Sequence, residues 1–450
     1  MATSARCTLP GLTALLAAAH ACAATCTPQW SHSIAANTRH LQTAIDQCSA
    51  AGGGLVDLTV NNGISSATIT TVHLGSNIVL KLEQGFTLQG ASDVPAGSAL
   101  LIGNSVHNVT ITGTGIIDGN GAAYWASSVG KNNTPHPKLI KIKGSAIRIG
   151  SNFADDGTPR PLVRFPSPDN DAALTLKIRN APKEQVVFES GSQDVTVDGV
   201  WIYANPDKNG EGKNLAPNTD AIDIIGTTTA TIRNCVLDTG DDDIAIKSNA
   251  GGPATTGVVI DSCVIGGGHG ISIGGQEAAG HTLSRPGVSG VSIRSILFKG
   301  TDYGFRIKTD QTAADSGATN GVSYSDTCMQ DVGEPFLFTY TYAAGSGGSL
   351  PVIANVSIDN VLATATKTQG AIIGLATTPL GIPSSGDAGI RMRNTQISGG
   401  SAFSIRNGAL LLGANSRVDT ANRGNAQVIR IPDSGATITC PARIVIPKPL

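Results

Sequence analysis

The sequence predicts an all-β chain: a single-domain right-handed parallel β-helix with a short N-terminal capping helix. Three observations carry this. A seven-residue stretch of alternating apolar and polar residues recurs along the chain. Each later copy is accompanied by a second short alternating strand. Between these strands no helical segment of the length a doubly wound α/β fold requires can be found. Composition agrees, since 55 glycines supply turns. Only 14% charged and 4% aromatic residues suit strands that face an interior or another strand.

Taken in order, the first element is a secretory signal, expected over residues 1–24. Arg6 supplies the positive region, Leu9 to Ala19 form an apolar stretch too short to span a bilayer, and Ala21-Cys22-Ala23-Ala24 offer a cleavage site. The solenoid is then expected over residues 25–450, secreted and extracellular. Six cysteines remain, Cys26, Cys48, Cys235, Cys263, Cys328 and Cys440, in a compartment that permits disulfides. Cys26–Cys48 would staple the mature N-terminus to a short helix. None of these cysteines has CxxC spacing, so a zinc site is not expected; no other metal and no cofactor is expected either. The formal charge of −2 comes without a basic block, so nucleic acid is not an expected partner. No later window is apolar enough for a membrane span. A monomer is expected.

Asn37 to Cys48 has helical spacing at Leu41, Ala44 and Ile45, and Ala51-Gly52-Gly53-Gly54 ends it. A solenoid needs a cover for its open end, and this helix fits. The repeat then runs Val195-Thr-Val-Asp-Gly-Val-Trp201, Ala230 to Val236, Val258 to Val264, Val291 to Leu297, Val322 to Cys328 and Val356 to Leu362, with an earlier cousin at Val109 to Gly115. The six later copies are spaced 35, 28, 33, 31 and 34 residues apart. The second strands are Ala221 to Ile225, Asp243 to Lys247, Gly270 to Gly274, Gly304 to Lys308 and Pro335 to Thr339. Their isoleucines point inward, and Asp223, Lys247, Ser272, Arg306 and Lys308 point outward. The stretch from Ala126 to about Gln193 exceeds one coil and is expected to hold a protruding loop.

Aligning the second strands on Ile222, Ile244, Ile271 and Phe305 places Asp220, Asp242, His269 and Tyr303 in one column, coils stacking about 4.8 Å apart. Asp241 lies beside that column, with Arg306 and Lys308 one coil beyond His269. Breaking an acetal needs a proton for the leaving oxygen and a nucleophile for the anomeric carbon. Close carboxylates cannot all ionise freely, so one pKa rises and that group can act as acid while the others activate water. His269 can tune the acid, and the two cations suit a substrate bearing carboxylates. Aspartates also cap solenoid turns, so any one of these motifs alone is more often structural; their grouping on neighbouring coils is what points to catalysis. Lys247 is read as a solvated outward lysine by default, and His107 and His281 as surface or turn residues.

Asn218-Thr-Asp220, Gly240-Asp-Asp242, Gly268-His-Gly270 and Arg306-Ile-Lys308 occur in this order and resemble the four signatures of the polygalacturonases, glycoside hydrolase family 28. The resemblance runs from Gly119-Asn-Gly-Ala-Ala-Tyr-Trp125 through Tyr342. It implies a right-handed parallel β-helix and an inverting hydrolase of α-1,4-linked galacturonan, the backbone of pectin. It further implies Asp241 as general acid, Asp220 and Asp242 as activators of water, and His269 as support for the acid. Arg306 and Lys308 would bind a galacturonate carboxylate and Asn218 would orient the site. The family tyrosine maps to Tyr342, at the end of its strand, rather than Tyr340. Two positions depart from the pattern: Ala221 where Gly is usual, and Asp243 where Cys or Asn is frequent, which would add negative charge.

Endo action is expected, because the outer strands look regular enough for an open cleft. The alternatives are exo action, a rhamnogalacturonan or xylogalacturonan hydrolase of the same family, a calcium-dependent pectate lyase, and a non-enzymatic adhesin or tailspike-like binder.

Overall fold

A computed structural model describes residues 24–125, 136–160, 175–204, 216–249, 251–274, 286–309, 317–342 and 352–433, with single positions 435, 439, 440, 441 and 444 beyond. The expected signal segment lies outside them apart from Ala24, and His281 lies outside them as well. Every pairing between the strands is parallel, as a solenoid requires. Each central coil contributes three strands, and like strands stack into three sheets. The first sheet contains Gln193–Asp198, Thr228–Arg233, Thr255–Asp261 and Val288–Arg294. The second contains Val200–Tyr203, Val236–Thr239, Val264–Gly267 and Leu297–Lys299. The third contains Val186–Phe188, Ile222–Ile225, Ile244–Lys247, Ile271–Gly274, Tyr303–Lys308 and Glu334–Thr339.

The recurring heptad is therefore a bend between two sheets. Its fifth residue is Gly199, Asn234, Ser262, Ser295, Asp326 or Asn360, and each has a positive φ between 51° and 74°. That left-handed conformation costs a residue with a bulky or branched Cβ about 1–2 kcal/mol, which is why small polar residues and glycine occupy it. The copies stack in register, Val195 on Ala230, Val258, Val291, Val322 and Val356. Two unrecognised copies complete the ladder. Ile147 sits between Val109 and Val195, and Ile390 follows Val356. Arg148 in one, and Arg391 and Arg393 in the other, obscured the pattern. The stretch from 126 to 193 does exceed one coil, and the protruding loop expected in it is not located by the described residues. It contains the strands Lys138–Ile149, Leu176–Arg179 and Val186–Phe188, while 126–135 and 161–174 lie outside the described residues.

Inside the coils, Ile222, Ile244, Ile271, Phe305 and Phe336 form one fully buried row. Each such side chain contributes roughly 1.5–3 kcal/mol by leaving water. The N-terminal helix spans Ile34–Ala50, longer than expected by about a turn, because the Ser33 hydroxyl caps Ala36 N–H and starts it earlier. It buries Leu41, Ala44, Ile45 and Cys48 over the first strands, and Cys48 is disulfide-bonded to Cys26. A second disulfide, Cys328–Cys440, holds the C-terminal segment to the solenoid. Cys235 and Cys263 are buried and unbridged on adjacent coils. No helix among the described residues is long and apolar enough to cross a membrane.

Candidate active site

The turns that lead from the second sheet into the third carry the acidic residues, and the outward positions of the third sheet carry the cations. Register places Asp223, Ala245, Ser272 and Arg306 in one outward row. Asn218 opens its turn with φ 58°, a conformation asparagine tolerates. Thr219 ties this turn to the next, its Oγ1 accepting from Gly240 N at 3.0 Å. Gly268 and Gly270 both have positive φ. A Cβ on Gly268 would meet Asp241 O at 2.5 Å, and one on Gly270 would meet Tyr303 O at 2.3 Å. The glycines on either side of His269 therefore let its turn pack directly against its neighbours.

Asp241 is the accessible acid, its side chain 22% exposed against 9% for Asp220 and 3% for Asp242. Its Oδ1 lies 3.1 Å from His269 Nδ1, and its Oδ2 accepts from Asn218 Nδ2 at 3.4 Å. Burial pushes the Asp241 pKa up, but the His269 hydrogen bond, the charge of His269 and that of Lys308 together outweigh it and hold the carboxyl below its ordinary value. The Asp242 oxygens are fully engaged. Oδ1 accepts from Ser272 Oγ at 2.7 Å and from Arg306 Nη2, and Oδ2 accepts from Lys308 Nζ at 2.8 Å. Burial is again overcome, here by Lys308 and then Arg306, so Asp242 stays ionised well below the usual carboxylate range. Arg306 and Lys308 are themselves buried, the guanidinium 4.2 Å from the Tyr303 ring centroid and the ammonium 4.9 Å from that of Tyr342. Tyr342 is exposed, whereas Tyr340 is buried.

Of Asp220, Asp241 and Asp242, the one whose pKa rises is Asp220, through burial and then the charge of Asp223. Lys247 explains how such a group survives there. Lys247 is not the solvated lysine that its outward position suggests: its Nζ lies 3.3 Å from Asp220 Oδ2 and 2.9 Å from Asp223 Oδ2, with the side chain only 17% exposed. Its outward parity was legible, but the two acids that enclose it were not, because only register brings Ile225 beside Lys247 and Asp223 beside Ala245. Ser272, which links Arg306 Nε at 2.9 Å to Asp242, was likewise missed as a site residue. The departure at Asp243 is a buried group that accepts from Gly270 N at 3.0 Å and from Thr239 Oγ1 at 3.2 Å, and burial and then Asp238 push its pKa well above the ordinary value. Ala221 is fully buried with its N–H bonded to Asp242 O at 3.0 Å, so its methyl group fits the turn.

A carboxylate oxygen of Asp241, one of Asp242 and a ring nitrogen of His269 lie within 4.8 Å of one another, beside two committed cations. One exposed acid, an ionised acid locked by three donors and a buried acid paired to Lys247 form a constellation for acid and base chemistry on a bond between sugars. The glycosyl hydrolases family 28 model matches residues 48–410, which spans all of these groups. The chain belongs to that family. An endo-polygalacturonase of Pectobacterium carotovorum is 26% identical over 82% of this chain and 86% of its own length. A polygalacturonase of Ralstonia nicotianae is 27% identical over 71% of this chain and 64% of its own. Among solved structures, the polygalacturonase of Erwinia carotovora superposes with TM-score 0.60 at 22% identity, covering 91% of this chain and 97% of that one. The endo-xylogalacturonan hydrolase of Aspergillus tubingensis gives 0.62 at 18%, covering 93% and 99%. These likenesses establish the β-helix fold for this family-28 glycosidase.

Proposed function

We propose that this glycosidase is secreted and hydrolyses α-1,4-galacturonosyl linkages of polygalacturonate, the pectin backbone, with inversion and endo action. The observation that carries this reading is the contact of Asp242 with both Arg306 and Lys308 beside Asp220 and Asp241. Two cations facing one carboxylate leave a positive charge over, which a uronic-acid substrate satisfies and a neutral sugar does not. The names of the Pectobacterium and Ralstonia relatives agree with it.

In this reading Asp241, the exposed acid, reaches the leaving oxygen, and substrate binding raises its proton affinity by excluding water and adding negative charge. His269 orients Asp241, and Asn218 holds its other oxygen. Asp220 and Asp242 flank the attacking water. An Asp242 carboxylate saturated by Ser272, Arg306 and Lys308 is a poor nucleophile, which favours attack by water over a covalent intermediate and hence inversion. Tyr342, exposed beside Lys308, offers a ring face to the sugar.

The deciding experiment is the product time course from polygalacturonate, with the anomeric configuration of the nascent end read by NMR. A ladder of oligomers with inverted configuration is expected. Monomer from the outset would mean exo action, and an unsaturated, ultraviolet-absorbing product would mean elimination. Asp241→Asn is expected to lose about 10²–10⁴-fold in kcat on polygalacturonate and to recover most of it on a galacturonide whose leaving group needs no proton. Failure of that recovery would remove Asp241 from the role of acid.

A further inference from the structure

The wall that holds the carboxylates continues toward the N-terminus. Register stacks Ile222 on Val186 and Val186 on Ile140. The position two residues earlier, occupied by Asp220 at the site, therefore belongs to Glu184 one coil before and to Lys138 two coils before. Backbone bonds follow the same stacking, Gln185 N to Asp220 O at 2.9 Å and Leu139 N to Glu184 O at 3.0 Å. Lys138 Nζ lies 2.9 Å from Glu184 Oε2, and Lys183 Nζ lies 3.0 Å from Glu184 Oε1.

The exposures are ordered. Lys183 is 31% exposed, Lys138 20% and Glu184 10%, so the acid lies beneath and the two lysine side chains lie nearer the surface. Burial pushes the Glu184 pKa up, but Lys138 and then Lys183 bring it down to about 2. Glu184 is thus ionised at working pH, and the cluster carries one positive charge in excess. A structural ion pair would need a single lysine; this one has two, on the wall that carries Asp220. With coils about 4.8 Å apart, the cluster lies on the order of 5–10 Å from Asp220, about the length of one or two sugar rings. Arg306 and Lys308 lie on the opposite side of the acids.

We propose that Lys138 and Lys183 form an outer subsite that receives the carboxylate of a uronic-acid residue, across the scissile bond from Arg306 and Lys308. The inference deepens the galacturonan reading and rests on it. A polymer carrying a carboxylate on every ring is then held by cations on both sides of the bond that breaks, and Glu184 aims the two lysines while moderating their charge.

The test is steady-state kinetics of the full-length enzyme on long polygalacturonate. Lys138→Met and Lys183→Met are each expected to raise KM about two- to fivefold, the range of a partly exposed ion pair, with kcat within about twofold. Glu184→Gln removes the opposing charge and is expected to lower KM. The differences shrink as salt rises, since partly exposed charges are screened. Unchanged KM in both lysine variants, or a rise in KM for Glu184→Gln matching theirs, would overturn the subsite and leave a packing role. Should Glu184→Gln fail to fold, the more exposed Lys183→Met decides alone. No cleavage of polygalacturonate by the unsubstituted enzyme would instead overturn the galacturonan reading, and the subsite with it.

Discussion

At the scale of single residues, the site divides its acids by how their charge is met. Asp242 is matched by Arg306 and Lys308, Asp241 by His269, and Asp220 and Asp223 share Lys247. Lys247→Met removes the cation that favours ionisation of Asp220. Asp220 then ionises at higher pH, so the acidic limb of the kcat/KM profile is expected to move upward and kcat to fall at least about tenfold, with partial rescue in Lys247→Arg. A limb that stays in place would make Lys247 a packing residue. Glu334 lies beyond Tyr303 on the same wall, and burial raises its pKa to about 7 against the opposing pull of Arg306. A carboxyl raised above its unfolded value near 4.5 contributes stability below that pH and loses it as pH climbs toward 7. Glu334→Gln is therefore expected to flatten the loss of stability between those values, by up to about 3 kcal/mol, as read from denaturant unfolding across pH.

At the scale of elements, the repeat was legible because its period is simple and its inward residues are Val and Ile. What the alternation did not reveal is that each heptad spans a corner, since the bend comes from the φ of one residue rather than from a change in hydrophobic pattern. Ser295 has φ 57°. Ser295→Gly should leave stability within about 0.5 kcal/mol, whereas Ser295→Val should cost about 1–2 kcal/mol, because a β-branched side chain resists the left-handed region. Equal midpoints of chemical unfolding for the two variants would refute this account of the corner. The same limit explains the site. Strand alignment put Asp220, Asp242 and His269 on one wall, but which cation faces which acid depends on side-chain reach across two coils, as from Lys308 to Asp242. Sequence spacing does not encode that reach.

At the scale of the whole molecule, the open ends of the solenoid are where stability is held by covalent means. Cys26–Cys48 pins the covering helix and Cys328–Cys440 pins the C-terminal segment, closing separations of 22 and 112 residues. The first pairing was readable from proximity in the chain. The second was not, because its partners are remote in sequence. By loop-closure entropy the longer link contributes about 4–5 kcal/mol and the shorter about 3 kcal/mol. Replacing Cys328 and Cys440 together by Ser is expected to lower the thermal midpoint more than replacing Cys26 and Cys48, measured by calorimetry without reductant; the reverse order would show that the C-terminal segment is held by other contacts.

The parallel stacking of the third sheet has one more consequence. Along that wall, the separation between any two functional groups changes only in whole coils, so the positions of its charges are quantised. No single substitution can move Lys138 half a step closer to Asp220 or stretch the gap to Arg306. The enzyme is in this sense a ruler with fixed graduations, and matching it to a polymer of different repeat length would require inserting or deleting a complete coil.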